Sequence, residues 1–94
     1  MNRAERITAA LEAAIDVHRI EVRDDSHLHA GHAGASPEGE THFDLLLVSP
    51  DFTGQSRVMR QRAVYALLGA EFEGGLHALS MRALTPEEAA KETN

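Results

Sequence analysis

Five of the six histidines fall in two places: His27, His29, His32 and His42 lie in or beside one segment, and His77 stands alone just after Gly74-Gly75. Neutral imidazole is the commonest metal ligand and also the side chain that carries protons near neutral pH. The H-x-H-x-x-H spacing of His27, His29 and His32 is not the spacing of a helix face. These three converge on an ion only if their loop folds back on itself, and otherwise they form a solvated polar loop. His77, next to an apolar run and with two glycines ahead of it, is either a hydrogen-bonded core or strand-edge histidine or a ligand.

Other chemistry is thinner. Arg57, Arg60 and Arg62 occur in a stretch without any acidic residue from Phe52 to Ala70, a local positive face on a chain of formal charge −6. That face suits phosphates, an acidic partner, or solvent alone. Gly31-His32-Ala33-Gly34 spells GxxG, the pattern of a backbone-clamping KH loop, but it falls between two expected strands and not between two helices. Asp24 and Asp25 adjoin Ser26 and the loop histidines, yet no nucleophile motif, phosphate-binding glycine loop or H-E-x-x-H pattern accompanies them. The composition therefore points away from an enzyme.

Ninety-four residues with no cysteine and no tryptophan allow one small core in a single domain spanning 1–94, with its core from about 5 to 88. Without cysteine there is no disulfide, zinc finger or thiol nucleophile from this chain alone. The longest apolar runs, such as Leu45 to Val48, fall far short of the ~20 residues that span a bilayer, and no signal peptide is evident. A soluble cytoplasmic protein, monomeric by itself, is expected.

The elements that would position these residues follow from periodicity. Ile7, Leu11 and Ile15 recur at i, i+4 and i+8, an amphipathic helix from about Asn2 to Ala14. Residues 18–24 alternate, with Ile20 and Val22 on one face, as in a half-exposed strand. Phe43 to Val48 is nearly continuous in apolar residues and stops at Ser49-Pro50-Asp51, as expected of a central strand covered on both faces. Ser56 caps a helix to about Glu73, closed by Gly74-Gly75, with Val58, Val64, Tyr65, Leu68 and Phe72 on its apolar side. Residues 76–82 return as a third strand. Thr85-Pro86-Glu87-Glu88 is a capping box that opens a short helix fraying into a flexible tail over 89–94. The right-handed crossover rule makes the second and third strands parallel, and the His-bearing loop joins the first two antiparallel. The result is an α+β fold of order αββαβα, a three-stranded mixed sheet with helices on one face.

The strings Asp25-Ser26-His27, Gly39-Glu40-Thr41-His42-Phe43, Phe52-Thr53-Gly54, Arg60-Gln61-Arg62 with Val64-Tyr65, and Gly75-Leu76-His77-Ala78-Leu79-Ser80 before Leu84-Thr85-Pro86-Glu87 occur in that order. Together, over about Ala9 to Glu88, they resemble the BolA family. The resemblance implies a class II KH-like αββαβ core. It also implies an adaptor for monothiol glutaredoxins with a CGFS motif, forming a heterodimer that shares a bridging [2Fe-2S] cluster. The glutaredoxin and glutathione would supply thiolates. This chain would supply His77 and a loop histidine, His32 by spacing, with His29 in reserve, and His42 would anchor the loop. Imidazole would then replace thiolate on one iron. Ligation needs neutral imidazole, so sharing should weaken as pH falls through about 6.5. Many members read R-H-R where this chain has Arg60-Gln61-Arg62, so any role of the middle histidine is absent. The family also implies an alternative, a DNA-binding transcriptional regulator using the second helix and its Arg57, Arg60 and Arg62.

Overall fold

Asn2 starts the first helix because its side chain accepts from the Glu5 backbone N–H at 2.8 Å while Glu5 Oε1 accepts from the Asn2 N–H at 3.2 Å, a closed capping box. The computed structural model describes residues 1–25 and 41–92 of the chain. Helix α1 spans Arg3–Ala14 and buries Ile7 and Leu11 completely. Strand β1 (Arg19–Asp24) runs antiparallel to β2 (His42–Val48), and β2 runs parallel to β3 (Ala78–Leu84), in the sheet order β1-β2-β3. The expected mixed sheet is therefore present, although β3 begins two residues later than its apolar pattern suggests.

Register decides which residues share a face. Ile20 pairs with Leu47 and Val22 with Leu45, while Phe43, Leu45 and Leu47 pair with Leu79, Met81 and Ala83. That face packs on Ile7 and Leu11 of α1 and on Val64 and Leu68, in one cluster with Phe52 and Leu76. The opposite face is different from expectation: Asp44 and Leu46 of β2 are only half-buried, so helices cover the central strand on one side. The α+β class stands, with period-two alternation hidden because Leu46 and Val48 on the second face are also apolar.

The second helix is also shorter than expected. Helix α2 spans Arg57–Leu67 behind the Ser56 cap, and Leu68 leaves helical geometry (φ −104°, ψ 16°) before a separate turn of helix, α3 (Gly69–Glu73). Gly69 is a weak helix former at the break. Arg60, Val64 and Leu68 form the buried line, at i, i+4 and i+8. Val58 (54% exposed) and Tyr65 (40%) lie off it, so the five-residue apolar side is corrected to Val64 and Leu68, with Phe72 half-buried. Tyr65 instead donates its hydroxyl to the Leu79 carbonyl at 3.2 Å and meets the Phe72 ring edge-on.

Arg60 is not a surface cation. It is 7% exposed, and its Nε donates to the Gln55 carbonyl at 3.0 Å, while Nη1 donates to the Ala83 carbonyl at 2.9 Å and to Glu88 Oε1 at 2.6 Å. It also sits 5.9 Å from the Phe52 ring centroid. Glu88 closes the capping box of the last helix, α4 (Pro86–Glu92): it accepts the Thr85 N–H at 2.8 Å and donates its own N–H to Thr85 Oγ1 at 3.2 Å. The arginine thus joins α2, the end of β3 and the start of α4. Helix α4 continues to Glu92, which pairs with Arg82 of β3, so residues 89–92 are helical where a flexible tail is expected. Among the described residues no helix is long and apolar enough to cross a membrane.

The Arg60 guanidinium, and after it the Thr85 N–H, hold the Glu88 carboxyl down from 4.5 to about 2. Hydrogen bonding from Arg6 lowers that of Glu71 as well, with Arg3 adding to it. A carboxyl whose folded pKa is depressed stabilises the fold above its unfolded value and loses that contribution as pH falls through the folded one. The thermal midpoint should therefore be flat above about pH 5 and fall between about pH 4.5 and pH 2. Glu88→Gln should flatten part of that fall, read by thermal scans across the acid range.

Candidate functional site

Parallel pairing of β2 with β3 sets the first residues of both strands side by side, and the antiparallel β1 ends at the same edge of the sheet. His42 opens β2, opposite Ala78, and the His42 and His77 rings lie 5.3 Å apart at 52°. The backbone fixes them closely. Thr41 O accepts both the His77 N–H at 2.8 Å and the Ala78 N–H at 3.1 Å, and the Asp25 N–H donates to His42 O at 2.7 Å. Asp25 and Thr41, which bound segment 26–40, consequently both sit at the His77 end of the sheet.

The two imidazoles differ in what they can do. His42 is buried, with Nδ1 2.9 Å from the Thr41 hydroxyl, so its ring is already committed to the local structure. His77 is exposed, carried past the Gly74-Gly75 turn by the buried Leu76. Gly75 has φ +120°, a backbone that side chains rarely adopt, which is why a glycine stands there. An exposed imidazole on a pinned backbone is available to an outside ligand. Among the described residues no group of three His, Cys, Asp or Glu side chains is placed to hold a metal. His27, His29 and His32, the Gly31–Gly34 motif and Ser26 lie outside the described residues. Asp24 ends β1 and Asp25 follows it; Arg23 engages Asp25 at 2.7 Å.

The three arginines do not form one face. Arg57 and Arg62 are exposed and make no hydrogen bond or ion pair among the described residues, whereas Arg60 is the buried latch described above. Arg57 lines a shallow groove of about 240 Å³ with Gln61 and Arg82 beside the open edge of β3. Sequence reasoning missed the closeness of His42 and His77. The signal for it was present, since each opens one of two strands expected to pair in parallel.

A profile of the family described as BolA-like protein matches residues 11–88. The chain is 45% identical over 94 residues to the UV-induced protein uvi31 of Schizosaccharomyces pombe, covering 96% of this chain and 92% of that one. It is 48% identical to the SufE-like protein 1 of Arabidopsis thaliana but spans only 24% of that longer protein. The solved BolA domain of Arabidopsis SufE1 superposes with a TM-score of 0.84, covering 94% of this chain and 96% of the domain. A third relative, named DNA-binding transcriptional regulator BolA, from Haemophilus influenzae, is 33% identical over 82 residues, 87% of this chain and 76% of its own length. A family match over residues 11–88 of a 94-residue chain, together with a relative 45% identical and matched almost end to end, places the chain in the BolA-like family.

Proposed function

We propose that this protein is a cytoplasmic adaptor without catalytic apparatus of its own, which binds a monothiol CGFS glutaredoxin and shares a bridging [2Fe-2S] cluster with it. The observation that carries this reading is the exposed His77 imidazole on a pinned backbone, at the edge of the sheet where the His-bearing segment begins and ends. The donor set fits a shared cluster and not a resident one. A chain with no cysteine supplies no thiolate to a [2Fe-2S] centre and can offer it imidazole only. The thiolates then belong to the partner and glutathione.

In this reading His77 is one ligand and His32 the other, with His29 in reserve. When bound, the cluster supplies electron-transfer and iron–sulfur delivery chemistry. This chain's residues do three things toward it. His77 presents a nitrogen donor, Thr41 O fixes the backbone on which that ring is mounted, and the His42 ring packs 5.3 Å from it. Replacing thiolate by imidazole on one iron alters potential and lability. The test is anaerobic reconstitution of this protein with a CGFS glutaredoxin and glutathione, followed by visible circular dichroism and size. A heterodimer with a spectrum distinct from the glutaredoxin homodimer is expected; a spectrum identical to the homodimer would overturn the reading.

A second reading, DNA binding, is favoured by Arg57 and Arg62, exposed and without an ion pair among the described residues, on a helix without acidic residues. The Haemophilus relative carries such a name. If it holds, Arg57→Ala and Arg62→Ala should each weaken binding across sequences and lower the salt slope by about 1. Titration of labelled duplex at several salt concentrations measures this.

A further inference from the structure

A polar cluster outside the histidine pair grips the turn that carries His77. Arg3, the first residue of α1, is buried, and it reaches across the fold to two groups near the other end of the chain. Its Nε donates to Glu71 Oε1 at 3.1 Å and its Nη2 donates to the Gly74 carbonyl at 2.7 Å. Arg6 braces the same carboxylate, with Nε 3.0 Å from Glu71 Oε2. The Nη1–Nη2 edge of the guanidinium also abuts Gly75: a Cβ added there would sit 3.3 Å from Nη2 and 3.6 Å from Nη1. On the far side, the Leu76 N–H donates to Glu71 O at 2.9 Å and the His77 N–H to Thr41 O.

A turn made of two glycines has more backbone freedom than any other pair, and only external contacts restrict it. Here the N–H groups of Gly74 and Gly75 donate to the Ala70 and Phe72 carbonyls, Leu76 and His77 are held by main-chain bonds, and the Gly74 carbonyl is held by a forked cation. Docking α1 by itself does not call for that cation. A buried apolar side chain of similar volume would pack α1 as well, without the desolvation of a guanidinium. The fork adds direction, because a planar guanidinium ties a carboxylate of α3 and a carbonyl of the turn in one fixed geometry.

We propose that Arg3, braced by Glu71, is a positioning residue for His77, fixing the Gly74-Gly75 turn and so the direction in which the imidazole is presented to its ligand. This rests on the reading of His77 as a cluster ligand, and it extends that reading to a residue that touches no ligand. Loosening such outer supports lowers affinity by about 10-fold or more, because only a fraction of the molecules then hold the donor in place.

The test compares Arg3→Gln, Arg3→Lys and Glu71→Gln with Ile7→Val, which weakens packing of the same helix without touching the clamp. In the full-length protein alone, NMR reads the His77 ring resonances and the exchange of the Leu76 and His77 amides. With a CGFS glutaredoxin and glutathione, visible circular dichroism reads the partner concentration needed for the heterodimer band. Arg3→Gln should shift the His77 ring resonances, speed exchange at Leu76 and His77, and raise the required partner concentration about 10-fold. Ile7→Val should lower the thermal midpoint and leave those readouts in place. Arg3→Lys keeps the charge beside Glu71 and loses the fork to Gly74, so it should recover the thermal midpoint but not the His77 signals. If Arg3→Gln does not fold, Arg3→Lys and Glu71→Gln carry the same comparison.

His77 signals unchanged in the clamp variants, or changed equally in Ile7→Val, would overturn the proposal. If the wild type forms no heterodimer band, the proposed function fails, and the NMR comparison alone then decides whether the clamp orients His77.

Discussion

His77→Ala is expected to abolish the heterodimer cluster spectrum while leaving the fold in place. The side chain is exposed, and the bonds that fix this position are made by its backbone N–H, which alanine retains. Exposed substitutions of this kind change stability by within about 0.5 kcal/mol, so the thermal midpoint should move by no more than about 4 °C. Loss of the spectrum with an unchanged midpoint is therefore a ligand effect. His42→Ala forms the contrast. That ring is buried against Thr41 and His77, so its removal should lower the midpoint together with any change in the cluster. His32→Ala is expected to behave like His77→Ala, and His29→Ala like the wild type. Retention of the full spectrum in His77→Ala would remove this residue from the site.

Arg60→Ala is expected to give the largest loss of stability among the charged positions. Alanine leaves the Gln55 and Ala83 carbonyls without the donor they have in the fold and releases Glu88 from the start of α4. Breaking a buried, multiply bonded guanidinium of this kind costs about 2–3 kcal/mol. For a chain of this size that corresponds to roughly 10–20 °C in thermal midpoint. Arg62→Ala, by comparison, should stay within about 0.5 kcal/mol. Thermal scans of the two variants in parallel check both numbers. The comparison also constrains any study of DNA binding: a loss of binding in Arg60→Ala reports unfolding of α4, whereas Arg57→Ala and Arg62→Ala report the surface.

The element order and the mixed sheet were legible before any coordinates because they rest on local rules. A capping serine before the second helix, a capping box at Thr85 to Glu88, apolar spacing at four residues, a proline stop and the handedness of crossovers all act over short distances. His77 was legible as a candidate for the same reason, as a lone imidazole after two glycines. Where a longer period had to be assumed, the reading failed. Extending one helical wheel from Ser56 to Glu73 put Val58 and Tyr65 inside, but the helix breaks at Leu68 and its buried line runs through Arg60.

Arg60 and Arg3 show the limit most clearly. In the sequence each is an arginine in a helix, and such residues are ordinarily exposed. Burial here depends on partners 28 and 71 residues away, Glu88 for one and the Gly74 carbonyl for the other. No periodicity carries that information, since a carbonyl has no sequence signature and an acidic residue gives no sign of which cation it will meet. The chain's own residue types thus specified the strands, the caps and the available ligand chemistry. Packing α1 against α3, and β2 beside β3, chose which charges became internal and brought His42 to His77, because those contacts exist only once distant segments share one core.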